Sequence, residues 1–194
     1  RANSMREGQS VLIIGGGSMG LMHLKTAKWS GCEVIVADIV DMRLAMAGQM
    51  GADAALAADD TLIPRLREMN EGRLADLVII CFDGFIPLAL RCVEKGGTVL
   101  FFAGAAEGAT LPGALNDLFW RTEITLTSTY AGAPADCLTA LKLIREQSVP
   151  VLHTVTHRLS MDEGATGFRM VASPVEHHCL KVIVRPQESA YPRS

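Results

Sequence analysis

Long apolar runs, basic clusters and paired cysteine motifs are all missing from this 194-residue chain, and each absence removes a class of function. No uncharged apolar stretch approaches the roughly 18 residues that a membrane-spanning helix needs. The opening, Arg1-Ala2-Asn3-Ser4-Met5-Arg6-Glu7-Gly8-Gln9, has no apolar centre of a secretory signal, so a cytoplasmic protein is expected. Lys and Arg number 18 against 21 Asp and Glu, a net charge of -3, which leaves no electrostatic footprint for nucleic acid or an anionic membrane. The five cysteines, Cys32, Cys81, Cys92, Cys137 and Cys179, are odd in number and scattered among apolar neighbours. They read as buried, reduced thiols. His153 and His157, and the adjacent His177-His178-Cys179, have no carboxylate or thiol at zinc-ligand spacing, so no metal-binding or catalytic residue is assigned to this chain. Neither a Ser-His-Asp nor a Cys-His set can be read, and there is no repeat. Arg1 stands where an initiator methionine would, which predicts residues upstream or a tag scar.

What is present is a glycine motif in a telling place. Gly15-Gly16-Gly17-Ser18-Met19-Gly20 follows the apolar run Val11 to Ile14 and opens a helical stretch, Leu21 to Trp29. Asp38 closes the next apolar run, at the distance of about 20 residues expected of a dinucleotide-binding unit. Gly15 permits a tight turn, Gly17 removes a side chain where a pyrophosphate would approach, and Gly20 lets the helix lie close to the sheet. N–H groups from about Ser18 onward, with the positive end of the helix dipole, would face the phosphates. The Asp38 carboxylate can accept bonds from the hydroxyls of an adenosine ribose and would repel a 2'-phosphate, so NAD is expected rather than NADP. The plainer alternative is that the glycines serve only a turn and Asp38 only ends a strand. A methyltransferase using S-adenosylmethionine also joins a glycine turn to an acid, but Ile13-Ile14 stand where such enzymes usually carry an acidic residue.

The alternation of apolar runs with amphipathic stretches continues, predicting an α/β Rossmann fold: a doubly wound parallel sheet with helices on both faces. At this length about 70% of the unfolded surface can be buried without disulfides or metal. Helices are expected over Asp41 to Met50, Thr61 to Met69 (with Leu62, Leu66 and Met69 on one face), Phe85 to Val93 and Leu115 to Trp120. Another runs from Pro134 to near Gln147, with Leu138, Leu141 and Ile144 as its apolar stripe. Strands are expected over Ala52 to Ala57, Asp76 to Phe82, Thr98 to Ala103 after a Gly96-Gly97 turn, and Glu123 to Tyr130, whose half-polar alternation suits a sheet edge. Pro150 ends this unit. Beyond it lie a strand from Val151 to Arg158, a helix opened by a Ser160–Glu163 capping box and the strand Leu180 to Val184. The organisation is thus a leader over 1–9, an NAD-binding domain over 10–149, a C-terminal segment over 150–186 and a tail over 187–194.

Ligands of such sheets lie at the carboxyl ends of the strands. The candidate cofactor-binding residues are therefore Gly15, Gly17, Ser18, Met19, Gly20, Asp38, Arg43, Cys81, Phe82, Ala103, Gly104 and Thr129, with Asp83 and Tyr130 at the same rim. Arg43 either lies on the adenosine or is a solvated helix residue; His23 reads as packed or at the rim rather than catalytic.

The stretches Val11 to Leu24, Val34 to Asp38, Arg43 to Ala47 and Met50-Gly51-Ala52-Asp53, with the later Thr156-His157-Arg158-Leu159 and Leu180 to Pro186, closely resemble zinc-dependent medium-chain dehydrogenases, most of all polyol and threonine dehydrogenases. The resemblance implies NAD-linked oxidation of a secondary alcohol, with zinc as Lewis acid. It identifies the segment after Pro150 as a small C-terminal remnant of a GroES-like catalytic domain. It assigns Asp38 the ribose and Arg43 the role of its basic neighbour, and implies a homo-oligomer through the edge strand Glu123 to Tyr130. The zinc-binding cysteine and the Gly-His-Glu motif of the family's upstream domain are not in these 194 residues. The expectation is an NAD(H)-binding portion that does not turn over by itself, with zinc only in the missing domain and apolar surface left open around Val151 to Val155 and Val182 to Val184. A free-standing NAD(H)-binding regulatory or partner-binding module is the alternative.

Overall fold

The computed structural model describes residues 5–82, 85–105, 107–108, 110–111 and 113–186. The expected rim residue Asp83 and the tail over 187–194 lie outside them, as does the leader's 1–4. The chain divides into two compact units, Arg1–Val149 and Pro150–Ser194.

In the first unit, strands β1 (Ser10–Ile14), β2 (Glu33–Asp38), β3 (Ala54–Ala57), β4 (Ala75–Ile80), β5 (Val93–Phe101) and β6 (Thr125–Ser128) alternate with helices. These are α1 (Ser18–Trp29), α2 (Asp41–Gln49), α3 (Leu62–Met69), α4 (Ile86–Cys92), α5 (Leu115–Phe119) and α6 (Pro134–Arg145). The six strands form one sheet in the order β3-β2-β1-β4-β5-β6, with every pairing parallel. This is the Rossmann order. Its reversal of direction lies between β1 and β4, where Ile14 pairs with Ile80. All five residues of β1 are buried because helices cover both faces of a parallel sheet. Leu12, Ile14, Val78 and Ile80 share one core with Leu62 and Leu66 of α3. β6 forms an edge, with Ile124 and Leu126 packed against that core.

Several local expectations give way to the structure. Gly96 and Gly97 do not precede β5 but lie inside it: β4 pairs Ala75 with Val93 and then Leu77 with Thr98, so the extra residues bulge out around Gly96, whose φ is 74°. Met69 is exposed, unlike Leu62 and Leu66, because it lies in the last turn of α3. Cys137 is exposed on α6, whereas Cys32, Cys92 and Cys179 are buried. The α6 stripe exists, but no residue of that helix is buried.

In the second unit, β7 (His157–Ser160) and β8 (Val182–Arg185) pair in parallel, joined through α7 (Gly164–Ala172). A Cβ on Gly167 would come 3.1 Å from Leu159 Cδ1 and Val182 Cγ1, so glycine there lets the helix sit on the strands. The Thr156 hydroxyl accepts from Leu180 N–H at 3.0 Å and donates to Lys181 O at 3.2 Å, fixing the entry to β8. The expected strand over Val151 to Arg158 is instead a 3-10 turn, Leu152–Thr154, followed by β7. Both the N–H and the hydroxyl of Thr154 turn back to Val151 O, at 3.1 and 2.7 Å, a local closure that competes with a strand. His153 lies in that turn and His157 opens β7, so the two are not on one strand. The capping box is only half formed: the Ser160 N–H donates to Glu163 Oε2 at 2.9 Å as expected, but the Ser160 hydroxyl donates to the same oxygen at 2.8 Å instead of accepting from the backbone, and the helix begins at Gly164.

Candidate functional site

The carboxyl end of β1 turns through Gly15, whose φ of 105° belongs to the region that favours glycine. A Cβ there would lie 3.3 Å from both the Cys81 carbonyl carbon and Phe82 Cβ, so the turn is also pressed against the exit of β4. Gly20 has even less room: a Cβ on it would run into the Gly15 carbonyl oxygen. The helix can start this close to the strand only because residue 20 has no side chain. Gly17, which precedes the first residue of α1, has nothing within 4 Å of the position its Cβ would take. Space is therefore left open on the side from which an anion would approach. No side chain caps α1 and no acid sits in its first turn, so neither offsets the dipole at its leading N–H groups.

Asp38, the last residue of β2, is 5% exposed. Its Oδ2 accepts the Gly16 N–H at 2.6 Å and lies 3.5 Å from Arg43 Nη1. Oδ1 accepts the Val40 N–H at 2.9 Å. A carboxylate has about four acceptor positions, so capacity remains for a ligand hydroxyl. Gly16 belongs to this cluster by contact as well, since a Cβ would meet Arg43 Cβ at 3.3 Å and Asp38 Oδ2 at 3.4 Å. Spacing alone gave no signal for this second role of the loop. Arg43 is no solvated helix residue: it is drawn onto Asp38, and its buried Nε has no hydrogen-bond partner among the described residues. The structure thus brings Gly15, Gly16, Gly17, Gly20, Asp38 and Arg43 into one corner.

The other candidate residues lie along the ends of β4, β5 and β6. Cys81 gives its N–H to Ile14 O at 2.8 Å, and burial pushes its thiol pKa up to about 12, so it is a protonated, unreactive wall. Phe82 is exposed and leans on Phe85 with ring centroids 5.7 Å apart, so it is not a core residue. The Ala103 N–H donates to Ile80 O at 3.0 Å, while Gly104 and Thr129 are exposed. Ser18 is half-buried and Met19 exposed at the start of α1. His23, further along α1, is packed edge to face against Phe102.

A cavity of about 420 Å³ lies elsewhere, lined by Gln9, Asp76, Lys95 and Gly97 among others. It is at the amino ends of β1 and β4, the wrong end of a doubly wound sheet for a nucleotide. The glycine corner is therefore the site on topological grounds.

Residues 18–146 match the family model described as zinc-binding dehydrogenase. The chain belongs to that family, the zinc-dependent medium-chain dehydrogenases. Among curated relatives, this family member is 31% identical over 160 residues to a zinc-type alcohol dehydrogenase-like protein, YdjJ, of Escherichia coli K12, covering 79% of this chain and 44% of that one. It is 28% identical over 190 residues to an L-threonine 3-dehydrogenase of Francisella tularensis, covering 91% and 52%. Among solved structures, an alcohol dehydrogenase of Thermus sp. ATN1 superposes with a TM-score of 0.80 at 25% identity, covering 94% of this chain and 52% of that one. The chain thus spans about half the length of the relatives it matches.

Proposed function

We propose that these 194 residues are the NAD(H)-binding part of a zinc-type alcohol or polyol dehydrogenase. The observation that carries this reading is the buried Asp38 carboxylate, tied to the Gly16 N–H at 2.6 Å beside the open space at Gly17. The dinucleotide fits this corner. Gly17 leaves room for diphosphate oxygens near the free N–H groups of α1, and Asp38 has acceptor capacity for ribose hydroxyls. Arg43 Nε, which has no hydrogen-bond partner among the described residues, can still donate to the adenosine half. Cys81, Phe82, Ala103, Gly104 and Thr129 border the nicotinamide half. When bound, the nicotinamide supplies the hydride acceptor for a secondary alcohol.

This chain's own residues bind and orient; none of them is assigned to polarise the alcohol. Zinc, which the family description implies, does not fit the described residues, because no three His, Cys, Asp or Glu side chains among them come together. In this reading the zinc-bearing part of the enzyme is a separate domain of the longer protein. The 194 residues alone then bind coenzyme without oxidising polyols, even with zinc added. The whole enzyme is cytoplasmic and homo-oligomeric, joined through the β6 edge.

Titration followed by NADH fluorescence tests the reading. NADH binds more tightly than NADPH, because a second phosphate would meet the Asp38 carboxylate. Asp38→Asn weakens NADH by about tenfold or more and narrows the gap between the two coenzymes. NADPH binding as tightly as NADH would overturn the assignment of Asp38.

A further inference from the structure

The His23–Phe102 contact joins the helix of the glycine loop to the far side of the crevice. The two rings meet edge to face, with centroids 4.6 Å apart and planes at 81°. His23 Nε2 is sealed from solvent and has no hydrogen-bond partner among the described residues. Burial lowers the pKa of the ring from 6.5, so it is neutral at pH 7. An imidazole nitrogen buried without a partner costs free energy that a leucine at this position would not incur, and the face or edge of an aromatic ring offsets only part of that cost. The edge-to-face contact with Phe102 is the interaction through which the ring can act on its surroundings.

Phe102 is the residue immediately after β5. Its N–H and that of Ala103 both reach Ile80 O, at 3.2 and 3.0 Å, where the chain leaves the sheet. Ala103 and Gly104, directly beyond, are the segment placed beside the nicotinamide. The ADP half belongs instead to Gly15–Gly20 and Asp38, on the β1–β2 side of the topological reversal.

We infer that His23 is a positioning residue for the nicotinamide half of the coenzyme, holding the main chain at Ala103–Gly104 in place through its contact with Phe102. This rests on the NAD(H) reading above. His23 touches no reacting atom in this arrangement. Its effect is confined to the part of the ligand beyond the pyrophosphate.

Binding of NADH and of ADP-ribose to the full chain separates this role from simple packing. His23→Ala weakens NADH by about three- to tenfold, the scale of one aromatic pair, and leaves ADP-ribose binding unchanged. Phe102→Ala has the same signature, and the double variant is no worse than either single one. His23→Phe, which keeps a ring against Phe102, restores NADH binding. Retained ADP-ribose binding also shows that each variant is folded. Equal loss of both ligands in His23→Ala, or no loss of either, would overturn the inference while the coenzyme reading stands. If the unaltered chain bound neither ligand, the coenzyme reading itself would fall and this inference with it.

Discussion

The centre of the Rossmann unit and its last helix obey the same sequence pattern with opposite results. In β1 and β4 the apolar residues vanish from solvent: Ile13, Val78, Ile79 and Ile80 have no exposed surface. In α6 the stripe Leu138, Leu141, Ile144 is equally regular, yet Leu138 is 69% exposed and Leu141 53%. The second unit resembles α6 more than the sheet, with Phe168, Val171 and Val175 all open on or just beyond α7. Of the stretches where exposure was expected, Leu152 is open while Val151, Val155 and the valines of β8 are half-buried, and further open apolar surface lies on Met161 and α7. Apolar periodicity declares that a face wants covering, and says nothing of what covers it. The centre is closed by this chain's own residues; the later elements leave apolar area in water.

Truncating a side chain in each region is the sharpest way to break that contrast. Ile79→Ala should lower unfolding free energy by about 2–5 kcal/mol, since a fully buried aliphatic leaves a cavity in a close-packed core. Leu138→Ala should change it by no more than about 0.5 kcal/mol, the scale of exposed substitutions. Denaturant midpoints of the two variants check this. Equal costs would mean that α6 is covered in solution and that the contrast is false.

Acid should act on the closed region in two steps of smaller effect. The lowered pKa of His23 means that the unfolded chain takes up a proton near pH 6.5 while the folded one resists. Stability is therefore full above pH 6.5 and is lost as pH falls from there through the folded value. Carboxylates give the second step. Burial alone would raise Asp76, but the Ser10 N–H and hydroxyl, at 3.0 and 2.9 Å, and Arg73 outweigh it, holding the group below 3.8. For Asp53, burial is likewise outweighed by Lys28 and the Val34 N–H. Stability from these two is present above pH 3.8 and lost as pH falls through their lowered folded values. Thermal melts between pH 8 and 3 should show both steps, and His23→Phe should remove the first only. A variant with an unaltered upper step would take that step away from His23.

Sequence alone made the sheet readable because its signals are local. Val11 to Ile14, the glycines of residues 15, 17 and 20 and the carboxylate at 38 are ordered by spacing, and spacing is what the Rossmann unit conserves mechanically between a strand, a turn and a helix. What spacing could not carry are contacts made across the fold. The Gly16 N–H bond to Asp38 joins residues 22 apart, and the His23–Phe102 pair links α1 to the end of β5. The Gly96-Gly97 pair shows the opposite failure: glycine doublets usually punctuate strands, but here the pairing of Ala75 with Val93 draws residues before the doublet into β5. Ser160 and Glu163 were legible as partners and half right in direction: the Ser160 N–H donates to the carboxylate as a capping box requires, while the hydroxyl also donates to it rather than accepting from the helix.

The smallest expected effect on stability is also the one that sharpens the comparison most. Leu138→Lys with Leu141→Lys places two charges on an α6 face that already carries Lys142, Arg145 and Glu146 around its apolar stripe. Exposed side chains lose no packing when replaced, so the melting temperature should move by only a degree or two, less than for any core variant. Self-association should respond more strongly, because an open apolar stripe is what brings such surfaces together and a cation pair opposes it. Sedimentation of the full chain before and after the substitutions gives the answer. A fall in association at constant stability would show that α6 is apolar for the sake of a surface outside these residues. A melting temperature lowered as far as by Ile79→Ala would place the stripe inside this unit's own core, and the two regions would then differ in nothing but the conformation described here.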